Sequence, residues 1–116
     1  MKTVQVAIQD PEYADSIRNL LSQDGAHRVY LQMPDVRLGG VILVDAMDLG
    51  SFPSLTNDPE RLVVIVRKGR DDLAKVWDAG VRHVVFHGDS AHKARIAVLG
   101  AELTLCSNRE RSCCTQ

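Results

Sequence analysis

Gly39-Gly40-Val41-Ile42-Leu43-Val44-Asp45-Ala46-Met47-Asp48-Leu49-Gly50 is the stretch on which the reading of this chain turns. Four consecutive apolar residues between a glycine pair and an aspartate read as a short strand buried on both faces, the habit of parallel sheets flanked by helices. The strand ends by presenting the Asp45 carboxylate at its C-terminal edge, which is where open parallel sheets bind ligands.

Outward from it, Thr3 to Ile8, His27 to Gln32, Leu62 to Arg67 and Arg82 to Phe86 read as four more strands alternating with helical patterns, which argues for an α/β domain with a parallel sheet. Arg28-Val29-Tyr30-Leu31-Gln32 is mixed in polarity, as at an edge, whereas the third, fourth and fifth strands are continuously apolar. A first helix opens with Asp10 as N-cap and Pro11 in the first turn, places Tyr13, Ile17, Leu20 and Leu21 on one face, and ends near Asp24-Gly25. A second spans about Arg70 to Ala79, buries Leu73, Val76 and Trp77, and stops at Gly80. The last, from about Ser90 to Leu105, carries two apolar stripes, Ala94-Val98-Ala101-Leu105 and Ile96-Leu99-Leu103, which is wider than one sheet contact needs.

Two connections are thin. Only Met33 to Gly39 joins strands two and three, and Pro53 and Pro59 restrict the next connection to a short helix. Seven extended residues reach about 23 to 25 Å, enough to cross one neighbouring strand without a helix. The expectation is a sheet lacking its second crossover helix, with the third shortened, and apolar strand faces left open for dimerisation or docking.

The 116 residues fit one domain over positions 1–106, with 107–116 as a polar tail or linker. A balance of 14 basic and 15 acidic residues gives no electrostatic case for nucleic acid or an anionic membrane. The apolar runs are too short to span a bilayer. Three cysteines, Cys106, Cys113 and Cys114, crowd the end and form no disulfide framework, which agrees with a reducing, cytoplasmic setting. Cys113-Cys114-Thr115-Gln116 matches a prenylation box only formally, since Thr115 stands where an aliphatic residue belongs.

Three local features have a common likeness: Asp10-Pro11 opening the first helix, the apolar strand ending in Asp45 with Gly50 five residues on, and Ala79-Gly80-Val81-Arg82-His83-Val84-Val85-Phe86. In that order and spacing they resemble the receiver domain of bacterial response regulators, over about residues 3 to 105. The resemblance implies a flavodoxin-like, doubly wound sheet of five parallel strands in the order 2-1-3-4-5. It also implies a phosphorylated aspartate on the third strand, an acidic pair ending the first that helps hold magnesium, a Ser or Thr ending the fourth, and Lys-Pro ending the fifth. Carried over residue by residue, only Asp45 matches. The acidic pair falls on Ile8 and Gln9, the hydroxyl near Arg67, and Lys-Pro on His87-Gly88.

Transfer of a phosphoryl group to a carboxylate brings anions together, so it depends on a metal and cations that neutralise the transferring oxygens. Asp45 with Asp10, which has a helix to cap, makes a poor magnesium site, and His87 is shorter than lysine and a weaker cation. Asp45 is then expected to accept amides of the following turn or to pair with Arg67 or Lys68. His87, Asp89 and His92 could ligate a metal, but loop closure and capping by Asp89 or Ser90 explain them more simply. No Gly-x-Ser-x-Gly elbow, Walker lysine loop or dinucleotide glycine pattern occurs.

The functional expectation is a degenerate receiver, without enzymatic activity or cofactor, acting as a protein-interaction module in bacterial signalling. Its partners would be a histidine kinase, an effector or output domain, or a second copy of itself, with Gln9, Asp10, Arg67 and His87 around Asp45. The alternatives are a working receiver phosphorylated on Asp45, with magnesium on Asp10 and Asp45, and a small-ligand sensor at the same edge.

Overall fold

The computed structural model describes residues 2–23, 25, 27–32, 34–35, 37–67 and 72–114; for 53, 56, 72 and 106–114 it describes the backbone alone. Asp24, Met33, Lys68, Arg70, Thr115 and Gln116, which the sequence reading used, lie outside the described residues. The strands are β1 (Lys2–Ala7), β2 (His27–Leu31), β3 (Val41–Asp45), β4 (Leu62–Val66) and β5 (His83–Phe86). The helices are α1 (Pro11–Ser22), α2 (Asp48–Ser51), α3 (Asp72–Asp78) and α4 (Ala91–Cys114), with 3-10 turns at Pro53–Asn57 and Pro59–Arg61.

All four strand pairings are parallel, and the order is β2-β1-β3-β4-β5. This is the flavodoxin-like doubly wound arrangement, with no helix among the described residues between β2 and β3 and only the four-residue α2 plus two 3-10 turns between β3 and β4.

Alternation along each strand separates two cores. On one face Val4, Val6, Val41, Leu43, Val63, Ile65 and Val85 pack against Ile17 and Leu21 of α1 and Ala94, Val98 and Ala101 of α4. On the other, Ile42, Val44, Leu62, Val64 and Val66 are covered by Leu55, Val76, Val81, Leu49 and Phe52. The expected open apolar face is therefore not found: all five residues of β4 are buried. Short helical turns place a few large side chains over the strands and replace a full helix at this end of the sheet.

Over β1, where the second crossover helix would lie, the cover is polar. Gln5, in register with Tyr30 and Ile42, is fully buried between Val4 and Val6 of the opposite face. Its Nε2 donates to the Asp35 carbonyl at 2.8 Å, and its Oε1 accepts the Asp35 N–H at 2.7 Å and Gln32 Nε2 at 3.3 Å. One side chain thus satisfies both backbone groups of Asp35, as a neighbouring strand would. Arg61 Nε donates to the Gly40 carbonyl at 2.8 Å and its Nη2 to the Leu38 carbonyl, which pins the far end of the same connection. Gly40 enters β3 at φ +89°, where an added Cβ would lie 2.0 Å from the Thr3 carbonyl oxygen, so the close approach of β1 and β3 there admits only glycine.

The helix termini follow their sequence signals. Asp10 Oδ1 accepts the Glu12 and Tyr13 amides at 3.1 and 3.3 Å. α3 closes with Gly80 at φ +95° while the Val81 N–H donates back to the Val76 carbonyl at 3.3 Å. Two expectations need correction. Trp77 is 43% exposed rather than core, because short α3 buries the stripe containing Val76 and the next residue is turned about 100° toward solvent. α4 does not stop at Leu105 but continues to Cys114, through a segment free of glycine and proline.

At the N-terminal edge, His27 Nε2 and Glu102 Oε1 lie 2.7 Å apart with both side chains buried, and Lys2 Nζ stands 3.5 Å from Glu102 Oε2. This pair fastens edge strand β2 to α4. No helix among the described residues is long and apolar enough to cross a membrane.

Candidate functional site

The C-terminal ends of β1, β3, β4 and β5 surround a cleft of about 270 Å³ lined by Gln9, Asp10, Asp45, Ala46, Met47, Ile65, Arg67 and His87. All five residues singled out from sequence, Asp45, Gln9, Asp10, Arg67 and His87, therefore border one concavity. The fold explains why. Parallel strands end at a common edge, and each of these residues is the last of its strand or within three positions beyond it.

Asp45 is half-buried, and its Oδ2 accepts the Gln9 N–H at 2.8 Å. The partner thus comes from the turn after β1, not from the turn after β3. The Gln9 side chain lies across the cleft, with Nε2 3.2 Å from Met47 Sδ. Arg67 is exposed and, among the described residues, makes no ion pair with Asp45, which corrects the expected Asp45–Arg67 bridge; the Lys68 alternative lies outside the described residues. The physical reason is competition. The Gln9 amide satisfies Asp45 at no cost in side-chain entropy, while an exposed arginine gains little from a pair in high dielectric.

Asp48, one turn beyond Asp45, is the electrostatically perturbed carboxyl here. Burial, then the neighbouring Asp45 charge, push its proton affinity up, against a backbone hydrogen bond from Asp45 that pulls it down. It also borders a second cleft, of about 370 Å³, lined mostly by apolar residues including Val6, Ile8, Ala14, Leu31 and Pro34. That cleft lies at the end of β1 toward the polar connection. Leu31, at 43% exposure, is the large apolar side chain open there.

His87 is exposed and is held through its backbone, its N–H donating to the Val66 carbonyl at 2.7 Å. Asp89 closes the following loop: Oδ2 accepts the Phe86 N–H at 3.1 Å, and Oδ1 lies 3.6 Å from Lys93 Nζ. Tyr13 joins α1 to this loop, its hydroxyl donating to the Ser90 carbonyl at 3.3 Å; burial and then the Asp89 charge raise its phenol above the ordinary value.

Among the described residues no three His, Cys, Asp or Glu side chains converge closely enough to hold a metal ion. The donor chemistry at the Asp45 edge does not fit magnesium either. Asp10 Oδ1 is engaged at the α1 cap, Asp45 Oδ2 at Gln9, and positions 8 and 9 supply an isoleucine and an amide.

Sequence reasoning missed Gln5, Arg61 and the His27–Glu102 pair. Gln5 did carry a signal, since an amide between two valines in a strand covered on both faces needs a polar partner. Compared with known proteins, the chain matches no protein-family model, and no curated protein matches it in sequence.

Proposed function

We propose that this chain is a pseudo-receiver: a receiver-like domain that serves bacterial signal transduction as a phosphorylation-independent protein-interaction module and catalyses no reaction. The supporting observation is the engagement of the two carboxylates in the cleft, Asp45 with the Gln9 amide and Asp10 with the start of α1. Phosphoryl transfer would need them free to share a metal, together with a cation aimed at the transferring oxygens. Arg67 and His87 border the cleft, yet neither pairs with Asp45 among the described residues.

The test is incubation of the protein with magnesium and acetyl phosphate, comparing native and Asp45→Asn chains by intact mass. No mass gain in folded protein is the expected result. Gain of a phosphoryl group that disappears in Asp45→Asn would replace this reading with a phosphorylation switch. The cleft volume, near the lower end of small-molecule sites, favours a small-ligand sensor as the second reading. It would declare itself as thermal stabilisation by a ligand, abolished by substitutions at Arg67 or Asp45.

A further inference from the structure

We propose that the second cleft, at the ends of β1 and β2, is a binding site for a small organic cation: an amine carried on an apolar body, with Asp48 as its anchor. The proposal goes beyond the interaction-module reading, which concerns Asp45 and its own cleft.

The place of the cleft follows from the topology. From β1 the chain moves to β2 on one side and then returns past β1 to β3 on the other, so the strand order reverses at β1. Ligands of open parallel sheets lie beyond the carboxyl ends of the strands at such a reversal. Here β2 ends at the cleft with Leu31, the connection to β3 passes it with Pro34, α1 borders it with Ala14, and α2 begins at it with Asp48. At about 370 Å³ the space falls within the range of small-molecule sites, about 300 to 1,000 Å³.

The walls select the occupant. They are mostly apolar, and Leu31, 43% exposed, is a large side chain that an apolar body laid there removes from water. The charged residues that line the cleft are two carboxylates, Asp15 and Asp48; among the described residues no Lys, Arg or His borders it. The two amides of the lining have their nitrogens engaged elsewhere, Gln9 Nε2 with Met47 Sδ at 3.2 Å and Gln32 Nε2 with Gln5 Oε1 at 3.3 Å. A lining rich in acceptors and without a cation suits a positively charged hydrogen-bond donor, and an anion would be repelled by both carboxylates.

The two carboxylates are not equivalent. Asp15 is exposed and shares its charge with Arg18, whose Nη2 lies 3.4 Å away. Asp48 is half-buried and, among the described residues, pairs with no cation. Burial and then the Asp45 charge raise its proton affinity, and an ammonium group answers both causes as a proton does, replacing lost hydration and offsetting the neighbouring charge.

The experiment is an NMR titration of the backbone amides of the full chain with phenethylammonium chloride, at fixed pH and ionic strength, beside neutral phenethyl alcohol and anionic phenylacetate. The proposal expects saturable shifts at Ala7, Ile8, Leu31 and Asp48, with a Kd of about 1 mM for a probe of this size. It expects the alcohol and the phenylacetate to bind at least about tenfold more weakly. Asp48→Asn should weaken the ammonium about tenfold and leave the alcohol unchanged, whereas Leu31→Ser, at an exposed position, should weaken both. Unchanged thermal unfolding will show that the variants fold, and the comparison of probes needs only native protein. No saturable shift, equal affinity for the three probes, or unaltered ammonium binding by folded Asp48→Asn would overturn the proposal. Shifts centred on Arg67 and His87 would also overturn it, by assigning the amine to the Asp45 cleft. The phosphodonor experiment reads Asp45 alone, so either idea can fail while the other stands.

Discussion

On the face under α1 and α4, Val4, Val6, Leu43 and Ile65 belong to a buried apolar cluster, whereas on the reverse of the same β1 strand Gln5 meets a backbone amide and a backbone carbonyl. The first arrangement draws on area removed from water and tolerates small shifts; the second draws on two directed hydrogen bonds and tolerates few. The difference teaches that a crossover helix can be dispensed with when one buried amide satisfies the connection that replaces it. A helix there would satisfy its own backbone and present an apolar stripe. Among its described residues the connection from β2 to β3 makes one backbone hydrogen bond of its own, from the Leu38 N–H to the Asp35 carbonyl at 3.2 Å, and the sheet offers it a polar partner in Gln5.

The comparison is most severely tested on the apolar side. Leu43→Ala, at a fully buried position, is expected to cost about 2 to 5 kcal/mol in urea unfolding. Gln5→Leu keeps the volume but leaves the Asp35 N–H without its partner and the Asp35 carbonyl with only the Leu38 N–H, and should cost about 1 to 3 kcal/mol. If Gln5→Leu proves neutral or stabilising, the two faces are held by the same chemistry after all. Asp10→Ala removes only the α1 cap and should cost about 1 kcal/mol, with β2 and its connection unaffected in hydrogen exchange.

The smallest expected effect is a slope rather than a loss. Burial holds the His83 imidazole below its ordinary value of 6.5, so the unfolded chain accepts a proton that the folded chain resists. Stability is complete above 6.5, falls as the pH drops from there through the lower folded value, and levels off below it. His83→Gln should flatten that part of a stability profile against pH.

Much of this fold could be read from residues in order. β1 to β5 fall within a residue or two of their expected limits, because continuous apolar runs flanked by glycine and polar residues leave few alternatives. The missing helix followed from the length of the connection, and the convergence of Gln9, Asp10, Asp45, Arg67 and His87 followed from parallel topology together with the positions that the receiver resemblance assigns. The partner of Asp45 did not, because a backbone amide has no residue identity to read and Gln9 lies 36 positions away. Trp77 was misread for a related reason: composition says that tryptophan prefers burial, while its exposure depends on how few turns α3 has.

The buried contact between His27 and Glu102 gives α4 a mechanical meaning. A stiff rod anchored near its middle is a lever, and this contact is one of its fulcrums. Torque applied to the helix, by whatever grips it, is delivered to β2, an edge strand with a neighbour on only one side and therefore less resistant to displacement than β1, β3 or β4. Load at one end of the molecule would thus be felt first in the strand that leads into the Gln5-bound connection, rather than in β3 or β4.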